Sequence, residues 1–450
     1  MTKDNNTNAQ ASVTRRDFLK QSTLVAAGTV AAVNFPSVLN AQAKQPLNAV
    51  IIGCGGRGSG AGKDFIDAAK IAGVEAKIVG LADAFQNRVN GCRNELKNNL
   101  GQQVPDSACF VGLDAFAKVL QLPGVNYAII ATPPGFKAAQ LKACVDAGKH
   151  VFIEKPVAVD GPTCRIMYAA GEEATKKGLK VVAGTQRRHH AGYIDTIKRI
   201  QDGAIGDIVT MRAYWVNGSP IWHRGEQGAT DLEKQIANWY HYIWLSGDHI
   251  CEQHVHNLDV CNWIMNDHPV KCWGMGARQQ LGSKSGEIWD NFAVEFEYKS
   301  GVRMYSYCGQ IKREWSGVKE AIHGTKGWSD PERSINAKGE KMWRPSLKLD
   351  SNNPYVQEHV DLIRAIQNNT ALNETKNVTD STLTAIMGRE AAYSGSTATW
   401  DDTLNSTFAY GPELLYKDAS KMQFGPFRTL KPPMPSVNNI FTDPPTVPVA

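Results

Sequence analysis

No two cysteines of this chain stand in a CxxC pair, although there are nine of them, at 54, 92, 109, 144, 164, 251, 261, 272 and 308. An odd, scattered set reads as small buried hydrophobes and argues against a disulfide framework or a zinc cage. Charge of one sign is also scarce. The formal balance is only +5; residues 1–43 hold four basic side chains (Lys3, Arg15, Arg16, Lys20) and two acidic ones (Asp4, Asp17), which leaves +3 for the other residues. That is too little, and too evenly spread, to argue for nucleic acid or an anionic membrane as partner. The apolar stretch Leu24–Val33 is too short, and too rich in Ala, Gly and Thr, to cross a bilayer. No internal repeat is visible. Hydrophobic residues at 42% and charged ones at 21% supply ample material for a buried core, and 450 residues suggest at least two domains.

What the N-terminus does contain is ordered. Thr14-Arg15-Arg16-Asp17-Phe18-Leu19-Lys20 has the form of a twin-arginine export signal, which addresses folded cargo. The Leu24–Val33 stretch follows, then Ala41-Gln42-Ala43 as a small-residue cleavage pattern. Residues 1–43 are therefore expected to be a signal peptide and the mature chain periplasmic, with the export machinery as a partner. Folding in a reducing compartment before export also accounts for the unpaired cysteines.

From Leu47 the chain alternates strand-like and helix-like segments, the βαβ pattern of a parallel sheet. Strands are expected at 48–52, 77–82, 127–131, 150–153 and 180–183, with helices at 114–120 and 138–147 between them. After about residue 188 the texture changes. Residues 207–216, 291–298 and 302–310 alternate, which suggests antiparallel strands with one solvated or partner-facing side. Helices are expected over 250–265, 355–367 and 379–393. Seven prolines from 426 onward predict an extended tail that wraps or dangles. The expected division is 44–187 for an α/β domain with a doubly wound parallel sheet, 188–423 for an α+β domain, and 424–450 for the tail.

Gly53-Cys54-Gly55-Gly56-Arg57-Gly58 fits G-x-G-x-x-G directly after Ala49–Ile52. The first glycine permits a tight turn, the second lets backbone approach a pyrophosphate, and the third lets the helix pack closely with its N–H groups facing the phosphates. Asp83 closes the next strand and would accept hydrogen bonds from ribose hydroxyls, favouring NAD over NADP. It could equally cap the following helix. Arg57 and Arg88 could accommodate a 2′-phosphate. Gly56, Thr132, Pro133, Glu154 and Lys155 complete the expected cofactor contacts.

Glu154-Lys155-Pro156 ends a strand where a doubly wound sheet presents side chains to its ligand crevice. A lysine there can hydrogen-bond a substrate hydroxyl and stabilise the alkoxide formed on oxidation. Glu252, His256, Asp259 and Trp263 recur at helical spacing, so on one continuous helix they share a face, with an imidazole as candidate general base. With the glycine loop, these motifs resemble the Gfo/Idh/MocA oxidoreductase family, which includes glucose–fructose oxidoreductase and inositol dehydrogenase. The resemblance spans about residues 47–400. It implies a Rossmann domain and an α+β domain with a large open sheet, often used for oligomerisation, so a homodimer or homotetramer is expected. It also implies hydride exchange between nicotinamide and a sugar or cyclitol carbon, with Lys155 as the motif lysine and His256 as acid/base. Glu252 stands where many members have aspartate, and His254 where they have glycine, so the substrate side is expected to be altered.

His249, Glu252, His254, His256 and Asp259 are all metal-ligand types, but His254 and His256 point to different sides of a helix, and no metal is expected. Aromatics beside Arg, Gln and His at 186–190, 222–224 and 238–242 suit a sugar, whose C–H face packs on a ring. Arg187 and Tyr240 are the preferred contacts, beside Glu252 and Asp259. Three functions stay open: a sugar oxidoreductase with tightly held NAD, an NAD-dependent glycosidase working by transient oxidation and elimination, and a non-catalytic cofactor-sensing protein.

Overall fold

The computed structural model describes residues 44–219, 221–225, 228–282, 286–435 and 437–441. The twin-arginine segment and cleavage pattern, residues 1–43, lie outside the described residues. Among the described residues no helix is long and apolar enough to cross a membrane.

Short runs rich in Val, Ile and Ala form six strands: β1 (Leu47–Ile52), β2 (Ala76–Asp83), β3 (Cys109–Val111), β4 (Tyr127–Ile130), β5 (His150–Ile153) and β6 (Val181–Ala183). They make one parallel sheet in the order β3-β2-β1-β4-β5-β6. Their near-continuous burial is what helices on both faces impose. The strand order reverses between β1 and β4, so a crevice opens beyond their carboxyl ends, the ligand position of a doubly wound sheet. Helix α1 (Gly56–Ala72) leaves β1 through the glycine loop, α2 (Gln86–Leu100) follows β2, α3 (Pro134–Asp146) follows β4, and α4 (Gly161–Lys176) follows β5.

A second sheet has eight strands: β7 (Ile208–Val216), β8 (Pro269–Ala277), β9 (Asn291–Tyr298), β10 (Arg303–Gly309), β11 (Gly317–Gly324), β12 (Gly327–Asp330), β13 (Ser334–Ala337) and β14 (Ala398–Thr399). Their order is β13-β12-β11-β7-β10-β9-β8-β14. The sheet is mostly antiparallel, as expected, with one parallel pair: β7 and β10, Arg303 opposite Thr210 through Gly309 opposite Val216. A parallel pair requires a long crossover, and α5 (Asp231–Ala237), α6 (His249–Glu252) and α7 (Val255–Met265) lie within it. Alternation puts Phe292, Val294, Phe296 and Tyr298 inward. The helix α9 (Thr375–Ser394) covers that face, and Gly388 is there because a Cβ would lie 2.6 Å from the Phe296 ring. Buried almost all round, α9 carries Thr and Ser where an amphipathic helix would be polar only outside.

Two elements depart from a simple division along the chain. Helix α8 (Pro354–Gln367) returns to α1, and its Val356, Val360, Leu362 and Ile363 share a core with Leu47, Phe65 and Phe152. Over residues 425–433 the proline-rich tail is extended and lies on the body. Gly425 accepts from Leu232 N at 3.2 Å, Trp289 Nε1 donates to Pro433 O at 3.0 Å, and Phe424 stacks on Phe85 at 6.0 Å.

Candidate active site

A cavity of about 890 Å³ opens at the β1/β4 switch point, at the upper end of the range for ligand sites. Gly53, Gly55, Gly56, Arg57, Asp83, Arg88, Thr132, Pro133, Glu154, Lys155, Glu252 and His256 all line it. Gly53 has φ +97°, and a Cβ there would lie 2.7 Å from Ala131 C and Thr132 N. At Gly58 a Cβ would sit 1.8 Å from Gly53 O, so only glycine lets α1 start this close to β1. Gly55 caps α1 without a side-chain bond, which leaves the first N–H groups of the helix for an anion. Open space surrounds Gly55 and Gly56. This cradle fits a dinucleotide pyrophosphate.

Asp83 serves the loop and the cavity together. Its Oδ2 accepts from Cys54 N at 2.7 Å and its Oδ1 from Phe85 N at 2.9 Å. Phe85 caps α2 with backbone alone, so Asp83 does not cap that helix. Each carboxylate oxygen keeps a second lone pair for a ribose hydroxyl. Burial pushes its pKa up, against the pull of the two backbone donors and Arg88. Arg57 pairs with Glu154 at 2.7 Å and with Asp64 at 2.8 Å, and lies over the Tyr355 ring at 5.0 Å.

The segment 250–265 is not one helix. Helix α6 stops at Glu252, Gln253 adopts φ −110° and ψ −53°, and α7 starts at Val255. The break frees the Glu252 carbonyl, and the Lys155 ammonium donates to it while lying 3.3 Å from Glu252 Oε1. His254 is sealed beneath, its Nε2 2.8 Å from Ser306 Oγ on β10. Burial pushes the Glu252 carboxyl up, opposed by Lys155 and Lys137. His256 faces the cavity, held well below its ordinary pKa by burial and then by Lys155 and Arg187. Its imidazole is thus neutral near pH 7 and able to accept a proton.

Three expected substrate contacts lie away from this lining. Arg187 is ion-paired with Glu320 on β11, Tyr240 is buried with its hydroxyl on Gln310 Oε1 at 3.0 Å, and Asp259 forks with Arg188 at 2.9–3.1 Å. None of the three lines the cavity. Each aligned with the site in sequence, but a buried charge is stable only when paired: Arg187 ties the 186–189 turn to β11, and Arg188 ties it to α7. Trp222, Arg224, Trp239, Gln253 and Tyr355 take the lining positions instead. Tyr355 starts a helix some 200 residues beyond Lys155, so no local pattern announces it. Lys137 was overlooked as well: a lone cation in the small-residue run after Thr132-Pro133, it lies in the first turn of α3. The ligand-type side chains of 249–259 disperse, and among the described residues no three such groups gather as a metal cage would require.

This geometry agrees with the comparisons with known proteins. Residues 47–185 match the oxidoreductase family with an NAD-binding Rossmann fold, and residues 194–329 match the Gfo/Idh/MocA C-terminal domain. The chain belongs to the Gfo/Idh/MocA oxidoreductase family, and its first sheet is an NAD-binding domain. It is 24% identical over 56% of its length to scyllo-inositol 2-dehydrogenase (NAD(+)) of Bacillus subtilis, and 28% identical over 56% to inositol 2-dehydrogenase of Gluconacetobacter diazotrophicus. The matches span 65% and 66% of those two proteins, about two thirds of their length. Aldose-aldose oxidoreductase from Caulobacter crescentus shares the fold, with TM-score 0.61 at 19% identity, covering 79% of this chain and 100% of that one.

The close approach at Gly58 gives a direct test. Gly58→Val should weaken NAD binding by about tenfold or more, since the helix must retreat from the pyrophosphate. Gly91→Ala, in open space on α2, should leave it unchanged. Titration by protein fluorescence reads both, and equal affinities would mean that α1 does not carry the phosphates.

Proposed function

We propose that this chain is an exported NAD-dependent oxidoreductase acting on a hydroxyl-bearing carbon of a sugar, cyclitol or sugar derivative. The observation that carries this reading is Lys155 and His256 on one cavity with the glycine cradle. Bound NAD supplies the hydride acceptor and donor at its nicotinamide carbon. His256, neutral, takes the proton of the substrate hydroxyl, and Lys155 holds that oxygen and the negative charge it develops. Glu252 steadies the ammonium through both its carbonyl and its carboxylate. Trp222 and Trp239, whose rings meet at 6.0 Å, offer a surface for a sugar's C–H face. Lys155→Ala and His256→Ala should each lower kcat by about 10²-fold or more with NAD still bound. A variant that turns over at the wild-type rate removes its residue from the mechanism.

Export and cofactor use are linked in this reading. A twin-arginine substrate crosses the membrane folded, so NAD loaded inside travels with it and has no evident pool to exchange with outside. The cofactor is then retained, and each cycle restores its redox state within the site, by coupling the oxidation of one substrate to the reduction of another. Phe85, a lining residue, is backed by Phe424 of the tail, and α5, which supplies Glu233, Ile236 and Ala237 to the lining, is tied to Gly425. Both contacts favour slow release. Purified mature protein should keep near-stoichiometric NAD(H) through dialysis and turn over without added cofactor. A requirement for free NAD in proportion to product would overturn the closed cycle. Replacing Arg15 and Arg16 with lysines should leave active, unprocessed protein in the cytoplasm; normal processing and export would refute the signal.

The partner expected besides substrate is a second copy of the chain. The face of the second sheet away from α9 exposes Trp273, Met275 and Tyr307, with Tyr214 and Tyr307 stacked at 5.5 Å. The same face carries both signs of charge, Lys271, Glu295, Glu297 and Arg303 in paired register, so it can complement itself as a two-fold interface must. Met275→Asp should reduce the mass seen by light scattering, and an unchanged mass would place the interface elsewhere.

A further inference from the structure

The cavity floor holds two ammonium groups where the reaction described above uses one. Lys137, in the first turn of α3, is 2% exposed. Its Nζ donates to Lys155 O at 3.1 Å and to Pro156 O at 3.0 Å. A methionine would fill the same space without placing a second positive charge near Lys155, so packing alone does not account for a lysine here. The approach is deliberate in the backbone too. At Gly135, two residues earlier, a Cβ would lie 2.1 Å from Trp244 O, so glycine lets the start of α3 settle onto the segment that leads into α6.

We propose that Lys137 is a positioning residue for Lys155, holding the Lys155–Pro156 turn by both its carbonyls so that the Lys155 ammonium meets Glu252 at the cavity. This rests on the reading of Lys155 as a group that touches substrate. Glu154, at the end of β5, and Glu252, at the end of α6, favour the charged form of Lys137, while Lys155 opposes it. Burial dominates and lowers the Lys137 pKa to about 7. Hydrogen bonds from an ammonium are stronger than those from an amine. The hold on the turn is therefore firm below about pH 7 and relaxes as pH rises through that value.

The test uses the full-length holoenzyme. Lys137→Met should lower kcat by about tenfold or more, with KM and NAD affinity within about twofold of wild type. It should also speed amide exchange across residues 150–160, followed by mass spectrometry with NAD bound. Wild type should show a rate limb near pH 7 that Lys137→Arg, always charged, lacks. A folded Lys137→Met with wild-type kcat and exchange overturns the proposal. Should that variant fail to fold, a Lys137→Arg profile that keeps the limb overturns it equally. The exchange readout separates this proposal from the reading it rests on. If Lys155→Ala retains full activity, the catalytic role of Lys155 fails, yet faster exchange in Lys137→Met would still show that Lys137 holds the turn.

Discussion

Helix α1 begins so close to β1 that a Cβ on Gly58 would overlap the carbonyl oxygen of Gly53 at 1.8 Å. That approach decides more than where a pyrophosphate can bind. It places Arg57, the residue before Gly58, where its guanidinium reaches Glu154 at 2.7 Å, directly ahead of Lys155. Gly184, after β6, completes the fit from the other side, since a Cβ there would lie 2.4 Å from Glu154 Oε2. The cofactor loop and the lysine turn are thus joined through one ion pair at the carboxyl edge of the sheet. A shift in α1 is felt at Lys155 without passing through substrate.

The charges gathered around that turn have to be weighed together. Lys137 and Lys155 are largely buried with Glu154 and Glu252, with Arg57 at the exposed rim, and removing one of the buried members costs more than the set contributes to stability. A hydrophobic repacking would hold the fold as well, so the cluster is better understood as a constraint on geometry and protonation. Glu252 shows how the constraint operates. Its main-chain carbonyl is free only because α6 ends there, and its side chain curls back to the same ammonium. A shorter aspartate at this position would leave the carbonyl contact in place but draw the carboxylate back from Lys155. The length of the Glu252 side chain therefore sets how firmly the lysine is held, and with it the floor of the cavity.

Local patterns in the sequence were sufficient for five strands of the first sheet, whereas the three-residue edge strand β3 is too short to carry a pattern. Those five are short, mostly apolar runs, four of them ending at a glycine or an acid, and the glycine loop and Lys155 stand in chain order at the ends of strands. The same patterns failed where tertiary pairing overrides periodicity. Residues 250–265 carry helical spacing throughout, yet the bonds of His254 to Ser306 and of Lys155 to the Glu252 carbonyl accompany a break after Glu252. Asp259 keeps its helical spacing but answers Arg188 instead of a ligand. The parallel pairing of β7 with β10 was equally hidden, because alternation marks a half-solvated sheet but does not fix which strands are neighbours. Tyr355 and Lys137 reach the cavity from elements with no motif of their own.

The chain encloses its cofactor crevice from both ends of the sequence. The glycine cradle is the first structure formed after residue 44, and α8, which brings Tyr355 over Arg57, comes some 300 residues later. The tail then crosses α5 and seats Phe424 on Phe85. The crevice is thus roofed by segments far along the chain from its floor. Opening it again requires the tail, α5 and the Phe85 turn to move together. Those three pieces are joined by hydrogen bonds and ring contacts, not by one flexible loop, so release of a bound dinucleotide would need a cooperative opening.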